Sequence, residues 1–129
     1  MKKYNINEVF DLLGKENLME ENDYYKSGKR SKDIIVEGFK VRVRSLRYMT
    51  FYQKGTTCSK CGRKGSYFKL EGDKNNETRK HFNLYSEDNI LMTKDHIIPK
   101  SKGGKDKVSN MQTMCILCNM EKGNETDIL

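Results

Sequence analysis

Short alternating apolar runs, helically spaced stretches near the N-terminus and two Cys-x-x-Cys pairs predict a small α+β fold. The chain has 129 residues, the size of one domain or of one small core with an appended segment. Hydrophobic residues make up 35% and charged residues 33%, and Trp is absent. So little apolar material favours a core held by a metal. Lys and Arg number 25 against 18 acids, a net +7. Such an excess serves solubility and also suits a polyanionic partner. Met1-Lys2-Lys3-Tyr4 is followed by no apolar stretch, so no signal peptide is expected. No run has the roughly 18 apolar residues of a membrane span, so a cytoplasmic protein without membrane contact is expected. Cysteines in that compartment are rarely disulfides.

Residues 1–25 are net acidic. Ile6, Val9, Phe10, Leu12, Leu13 and Leu18 fall near helical spacing, with Asn5 or Asn7 as N-cap. Gly14 and Asn17 weaken the pattern past the second turn. A small docking helix without chemistry is the expectation. Residues 26–54 invert the charge, with nine basic residues against Asp33 and Glu37, a net +7. Residues 27–31 read as a loop. Phe39, Val41 and Val43 alternate with Lys40, Arg42 and Arg44, the period of a half-buried strand with a basic outer face. That row suits a phosphate backbone, and equally a solvated strand. Ser45 caps a helix carrying Arg47 and running to Lys54, with Leu46, Met49 and Tyr52 inward and Gly55 as its stop. The expected organisation is an extension over 1–54, for DNA contact or docking, and a second domain over 55–129.

Cys58-Ser59-Lys60-Cys61-Gly62 is a knuckle that brings two thiolates to one metal, and Cys115-Ile116-Leu117-Cys118 repeats it. Four thiolates make a closed tetrahedral site, which is structural zinc. The long gap between Cys61 and Cys115 makes the sharing of one ion an inference, beside two free thiol pairs or a redox dithiol. Closing so long a loop would remove on the order of 4 kcal/mol of unfolded-state entropy. Between the knuckles, Tyr67–Leu70, His81–Tyr85 and Ile90–Thr93 read as short strands separated by polar turns. Phe68 and Leu70 share a face, as do Phe82 and Leu84. His81 reads as a surface residue beside a turn.

Ile90 to Ile98 forms a strand that delivers Asp95 and His96 to its far end. Neighbours on a strand point to opposite faces, so one shared site needs the strand to twist or stop there. Pro99 and the Gly103-Gly104 loop supply the reason. The loop carries Lys100, Lys102, Lys105 and Lys107 against Asp106. A helix begins near Cys115, presents Asn119 and Lys122, and ends at Gly123. An acid, an imidazole and a carboxamide thus meet in one strand-loop-helix unit, equipment for phosphodiester hydrolysis.

Asp95-His96-Ile97-Ile98-Pro99 with Gly103-Gly104, Asn110, Cys115-x-x-Cys118-Asn119 and Lys122-Gly123 resemble the HNH endonucleases. The likeness is to the subgroup whose motif is flanked by two zinc knuckles, and it covers roughly Cys58 to Gly123. In size and layout the chain is also similar to small free-standing HNH proteins of bacteriophage. The resemblance implies a ββα-metal nuclease core stabilised by a four-cysteine structural zinc, with the N-terminal helix and basic strand-helix as an extension. It implies His96 as general base, Asp95 and Asn119 as ligands of a divalent cation, and Asn110 as the residue that orients the hairpin. A neutral imidazole suits base work near neutral pH, and Asn119 in place of a final His favours Mg²⁺ or Mn²⁺. DNA is the implied partner, contacted by Lys40, Arg42, Arg44, Arg47, Lys100, Lys102 and Lys122. The alternatives are a zinc-stabilised DNA-binding protein, and an adaptor of a larger nuclease or phage packaging machine docked through the acidic N-terminus. A homodimer is compatible with all three, since one HNH site cuts one strand.

Overall fold

The computed structural model describes residues 1–19, 32–72 and 74–123. The loop expected over 27–31, with Lys26, Lys29 and Arg30, lies outside them. The described residues form a small α+β fold of four helices and three antiparallel sheets.

Local chemistry sets the first elements. Strand β1 (Tyr4–Asn5) runs directly into helix α1 (Ile6–Leu13), whose N-cap is Asn5. The Asn5 carboxamide oxygen accepts the Asn7 N–H at 2.9 Å. Val9, Phe10 and Leu13 form its buried face. Gly14 adopts φ 88, which ends the helix, and a single turn α2 (Lys15–Leu18) follows. The apolar pattern over 6–18 is therefore two short helices.

Strands β2 (Asp33–Val36) and β3 (Phe39–Arg42) form a hairpin, turned by Glu37 and Gly38 at positive φ. Val41 is buried, and Lys40 and Arg42 are exposed, as alternation requires. The basic face stops there. The strand ends at Arg42 and a bend follows; Val43 is buried as the alternation requires, but Arg44 after it is buried too. Arg44, at 5% exposure, is therefore not part of an outward cationic row. Helix α3 (Leu46–Lys54) starts on Ser45, whose hydroxyl accepts the Tyr48 N–H at 3.1 Å, and stops at Gly55.

Strands β4 (Gly65–Gly72) and β5 (Lys80–Ser86) pair antiparallel, with β1 on the other edge of β4. The register sets Phe68 against Leu84 and Leu70 against Phe82, all buried. Phe68 meets Phe10, Phe51 and Phe82 in edge-on or tilted contacts. The same core cluster takes in Val9, Leu13, Val41 and Phe51 from before residue 55, and Met92, Met114 and Cys115 from after it. The two sides of the expected boundary at 54/55 thus share one core.

Strands β6 (Met92–His96) and β7 (Met111–Cys115) form the third sheet, and helix α4 (Ile116–Lys122) packs back on both. This is a ββα unit. Helix α3 covers the hairpin from the N-terminal side. It is fastened to β5 by Tyr48, a fully buried ring whose hydroxyl accepts the Phe82 N–H at 2.8 Å. Tyr48→Phe leaves that buried amide without its acceptor. The expected loss of unfolding free energy is about 1–3 kcal/mol, read as a lower urea midpoint at unchanged m value.

Candidate functional site

Cys58 and Cys61 sit on a turn closed by the Cys58 N–H to Arg63 O at 2.7 Å and the Gly62 N–H to Cys58 O at 3.0 Å. Gly62 takes φ 81 there. The turn is seated on β7: the Ser59 N–H donates to Thr113 O at 2.9 Å and the Ser59 hydroxyl to Gln112 Oε1 at 2.9 Å. Cys115 and Cys118 lie at the β7–α4 junction, where the Cys115 sulfur accepts the Cys118 N–H at 3.5 Å and caps the helix. All four sulfurs fall within 4.8 Å of one another, and the Cys61 and Cys115 sulfurs are 3.7 Å apart. A tetrahedral zinc with sulfurs at about 2.3 Å has sulfur–sulfur edges of about 3.8 Å, so the set fits one such ion. Burial alone would push the Cys58 thiol up, but N–H donors of Cys61, Cys115 and Lys60 outweigh it and bring it down to about 6. The Cys118 thiol is pushed up to about 12, chiefly by its hydrogen bond to Cys115 and then by burial. Four crowded sulfurs cannot all ionise unless a cation sits between them.

The second cluster lies on β6 and α4. Asp95 faces Gln112 across the hairpin. Its Oδ2 accepts from Gln112 Nε2 at 3.1 Å and from the Lys122 ammonium, which also donates to the His96 carbonyl at 2.8 Å. Lys122 is buried by this pairing, which makes it a counter-charge inside the fold rather than a DNA contact. On α4, Asn119 Nδ2 donates to Thr93 Oγ1 at 2.8 Å, and that hydroxyl donates to Met114 O at 2.8 Å. With its nitrogen pinned, the Asn119 carboxamide presents its oxygen. Asp95 Oδ1 and Asn119 Oδ1 accept no hydrogen bond from the described residues. Two spare oxygens, one of them charged, suit a hard divalent cation that keeps most of its waters.

His96 is the last residue of β6 and turns the other way, onto the loop. Its Nε2 lies 2.7 Å from Asp106 Oδ1, and Lys100 Nζ lies 2.9 Å from Asp106 Oδ2. The hydrogen bond to His96, then that to Lys100, holds the Asp106 carboxyl below the usual carboxylate range. Asn110 clamps the loop. Its Oδ1 accepts the Ile98 N–H at 3.0 Å, and its Nδ2 donates to Ile98 O at 3.1 Å and Lys105 O at 2.9 Å. Gly104 passes so close to Ile98 that a Cβ there would sit 1.7 Å from the Ile98 carbonyl oxygen.

The hairpin thus brings Asp95 and Asn119 to its helix side, and sets His96 and Asn110 at its loop end. Lys40, Arg42, Lys100 and Lys102 are exposed. Arg42 lies across the hairpin from Asp33, which pairs with Arg79 at 2.8 Å. Arg47 lines a cavity of about 410 Å³ with Ser45, Leu46, Leu91, Met92, Thr93 and Lys94. Burial holds the Lys94 ammonium below the usual lysine range. Asp106, Gln112, Thr93 and the inward role of Lys122 escaped sequence reasoning. The one signal for Asp106 is that it is the sole acid among the lysines of residues 100–107.

The profile of the family described as HNH endonuclease matches residues 85–128. Over that stretch the chain is similar to the HNH endonucleases. The matched segment contains Asp95, His96, Asn110, Cys115, Cys118 and Asn119, and it begins after the first cysteine pair, which the fold delivers to it. No curated protein and no solved structure matches the chain. Among the described residues no helix is long and apolar enough to cross a membrane.

Removing one sulfur leaves three ligands and an open loop. Cys115→Ser is expected to lower the melting temperature sharply and to drop bound zinc well below one per chain, read by thermal melting and elemental analysis. Folded wild-type protein purified without zinc would refute the tetrathiolate.

Proposed function

We propose that the protein is a metal-dependent endonuclease that hydrolyses DNA phosphodiester bonds. The observation that carries this is the pair of spare oxygens on Asp95 and Asn119, on a hairpin whose first strand ends in His96, within a segment that matches the HNH family. His96 takes a proton from water. The water oxygen bonds to phosphorus as the bond from phosphorus to the 3′ oxygen breaks. Asp95 and Asn119 would hold Mg²⁺ or Mn²⁺, which supplies stabilisation of charge on the phosphate and the leaving oxygen. Lys122 and Gln112 fix Asp95 through one oxygen and so aim the other. Thr93 does the same for Asn119, through its carboxamide nitrogen. Asn110 fixes the chain just beyond His96. The four cysteines hold the base of α4, and zinc there has no part in cleavage.

DNA lies on the face that carries Arg47, Lys94, Lys100 and Lys102. Lys94 and His96 alternate along one side of β6, and the cavity holding Arg47 and Lys94 adjoins that side. Lys40 and Arg42 extend this basic surface, and Arg42 is partly offset by Asp33. Affinity for a polyanion comes mainly from phosphate contacts that release counterions.

Supercoiled plasmid incubated with divalent cation gives the test. His96→Ala is expected to slow cleavage by about 10²–10⁴-fold with DNA affinity unchanged. Asp95→Ala and Asn119→Ala should recover part of their loss when Mn²⁺ is raised, and His96→Ala none. Wild-type rates in His96→Ala would sink the assignment of the base. For binding, Arg47→Ala combined with Lys102→Ala should weaken unrelated duplexes alike. It should also flatten the plot of log affinity against log salt by roughly two, about 0.9 per lost phosphate contact. An unchanged slope would move the DNA path elsewhere.

A further inference from the structure

We propose that Asp106 is a positioning residue for His96: its carboxylate keeps the ring proton on Nε2 and so leaves Nδ1 to receive the proton of the attacking water. The inference rests on His96 being the base.

A carboxylate only accepts hydrogen bonds, so a 2.7 Å contact from Asp106 Oδ1 requires that His96 Nε2 carry hydrogen. In a neutral ring the lone pair is then on Nδ1. No described residue bonds to Nδ1. The contact is sheltered, with the two side chains 20% and 16% exposed, so water competes for it weakly. Lys100 binds the other carboxylate oxygen at 2.9 Å and stops the acid from rotating away.

The loop is shaped to make this meeting happen. His96 lies two residues before Ile98, and Asp106 directly follows Lys105. The Asn110 carboxamide bonds to both Ile98 and Lys105, so one side chain sets the spacing of the two strands of chain that carry the pair. The Gly104 N–H donates to Pro99 O at 2.9 Å, and the crossing at Gly104 admits no side chain. Gly103, at φ 89, makes the turn that leads into it. When water gives its proton to Nδ1, the hydroxide oxygen goes to phosphorus and the Nε2 proton stays on the ring. The imidazolium so formed faces the Asp106 carboxylate, which stabilises it.

The chain has only two histidines, His81 and His96, so ¹⁵N-histidine labelling of the zinc-loaded full chain gives two ring systems. His81→Gln assigns them. Above the ordinary imidazole titration range, wild-type His96 should show the Nε2–H tautomer alone. Asp106→Ala should show a mixture of tautomers and a kcat lower by about 10–100-fold, the usual cost of losing a group that orients a working histidine. KM for DNA should hardly move. Asp106→Asn keeps an oxygen that can accept from Nε2, and should retain part of both the tautomer and the rate. It carries the test if Asp106→Ala fails to fold. The proposal is overturned if His96 keeps the pure Nε2–H form in both variants, whatever happens to rate or melting temperature, because Asp106 is then only a loop staple. It is also overturned if the tautomer changes while kcat stays at the parent value. Failure of the base itself is separate: His96→Ala would then cut at the wild-type rate whichever tautomer the parent shows.

Discussion

Cys115 is the residue on which the site depends. It ends β7, caps α4 through its sulfur, and is buried in the cluster of four thiols. Where it sits decides where α4 begins, and α4 carries Asn119 and Lys122 toward β6. A seven-residue helix has too few hydrogen bonds to hold its own direction in water. Its direction comes from what grips its first turn. The sulfur cap, the neighbouring thiols and the Ile116 N–H on Leu91 O at 2.8 Å supply that grip. A site that needs two oxygens from different elements within reach of one ion requires this anchoring.

The hairpin then divides labour between its two sides. Thr93 and Asp95 share the side that meets α4, and Lys94 and His96 the side that meets the loop and the basic cavity. Each candidate side chain on either face is held by a second polar group: Asp95 by Lys122 and Gln112, Asn119 by Thr93, His96 by Asp106. None of these helpers is adjacent in sequence to the group it holds.

That separation explains what the sequence alone showed and what it hid. Asn5 and Ser45 were legible because capping is local: the residue and the amide it serves lie within three positions. Phe68, Leu70, Phe82 and Leu84 were legible because alternation marks a sheet face before the sheet exists. The turn of Arg44 into the interior was not, since a bend after Arg42 ends the alternation and nothing in the residue types announces it. Lys122 read as a surface cation because lysine usually is one; only the fold brings it to Asp95, 27 positions away. Asp106 read as a counter-charge for neighbouring lysines, which it is for Lys100, but the histidine on its other oxygen is a tertiary partner. The likeness of motif and the match over residues 85–128 meet on the ββα unit, and the match leaves out β1, β4 and most of β5 in the sheet that supports it.

The seating of the first knuckle limits how this site can be moved between proteins. Ser59 grips β7 through both its N–H and its hydroxyl, and the Thr113 hydroxyl reaches back to Gly55 O at 2.5 Å. A cassette cut at the edges of the matched stretch would carry Asp95, His96 and Asn119 but leave behind half the sulfurs and the turn that holds them. Starting the cassette at Gly55 restores the sulfurs but strips away α3, and with it the cover over the hairpin. Moving the site to another scaffold therefore means carrying α3 together with everything from Gly55 to the end of α4. The unit that recombination or engineering can move is larger than the motif.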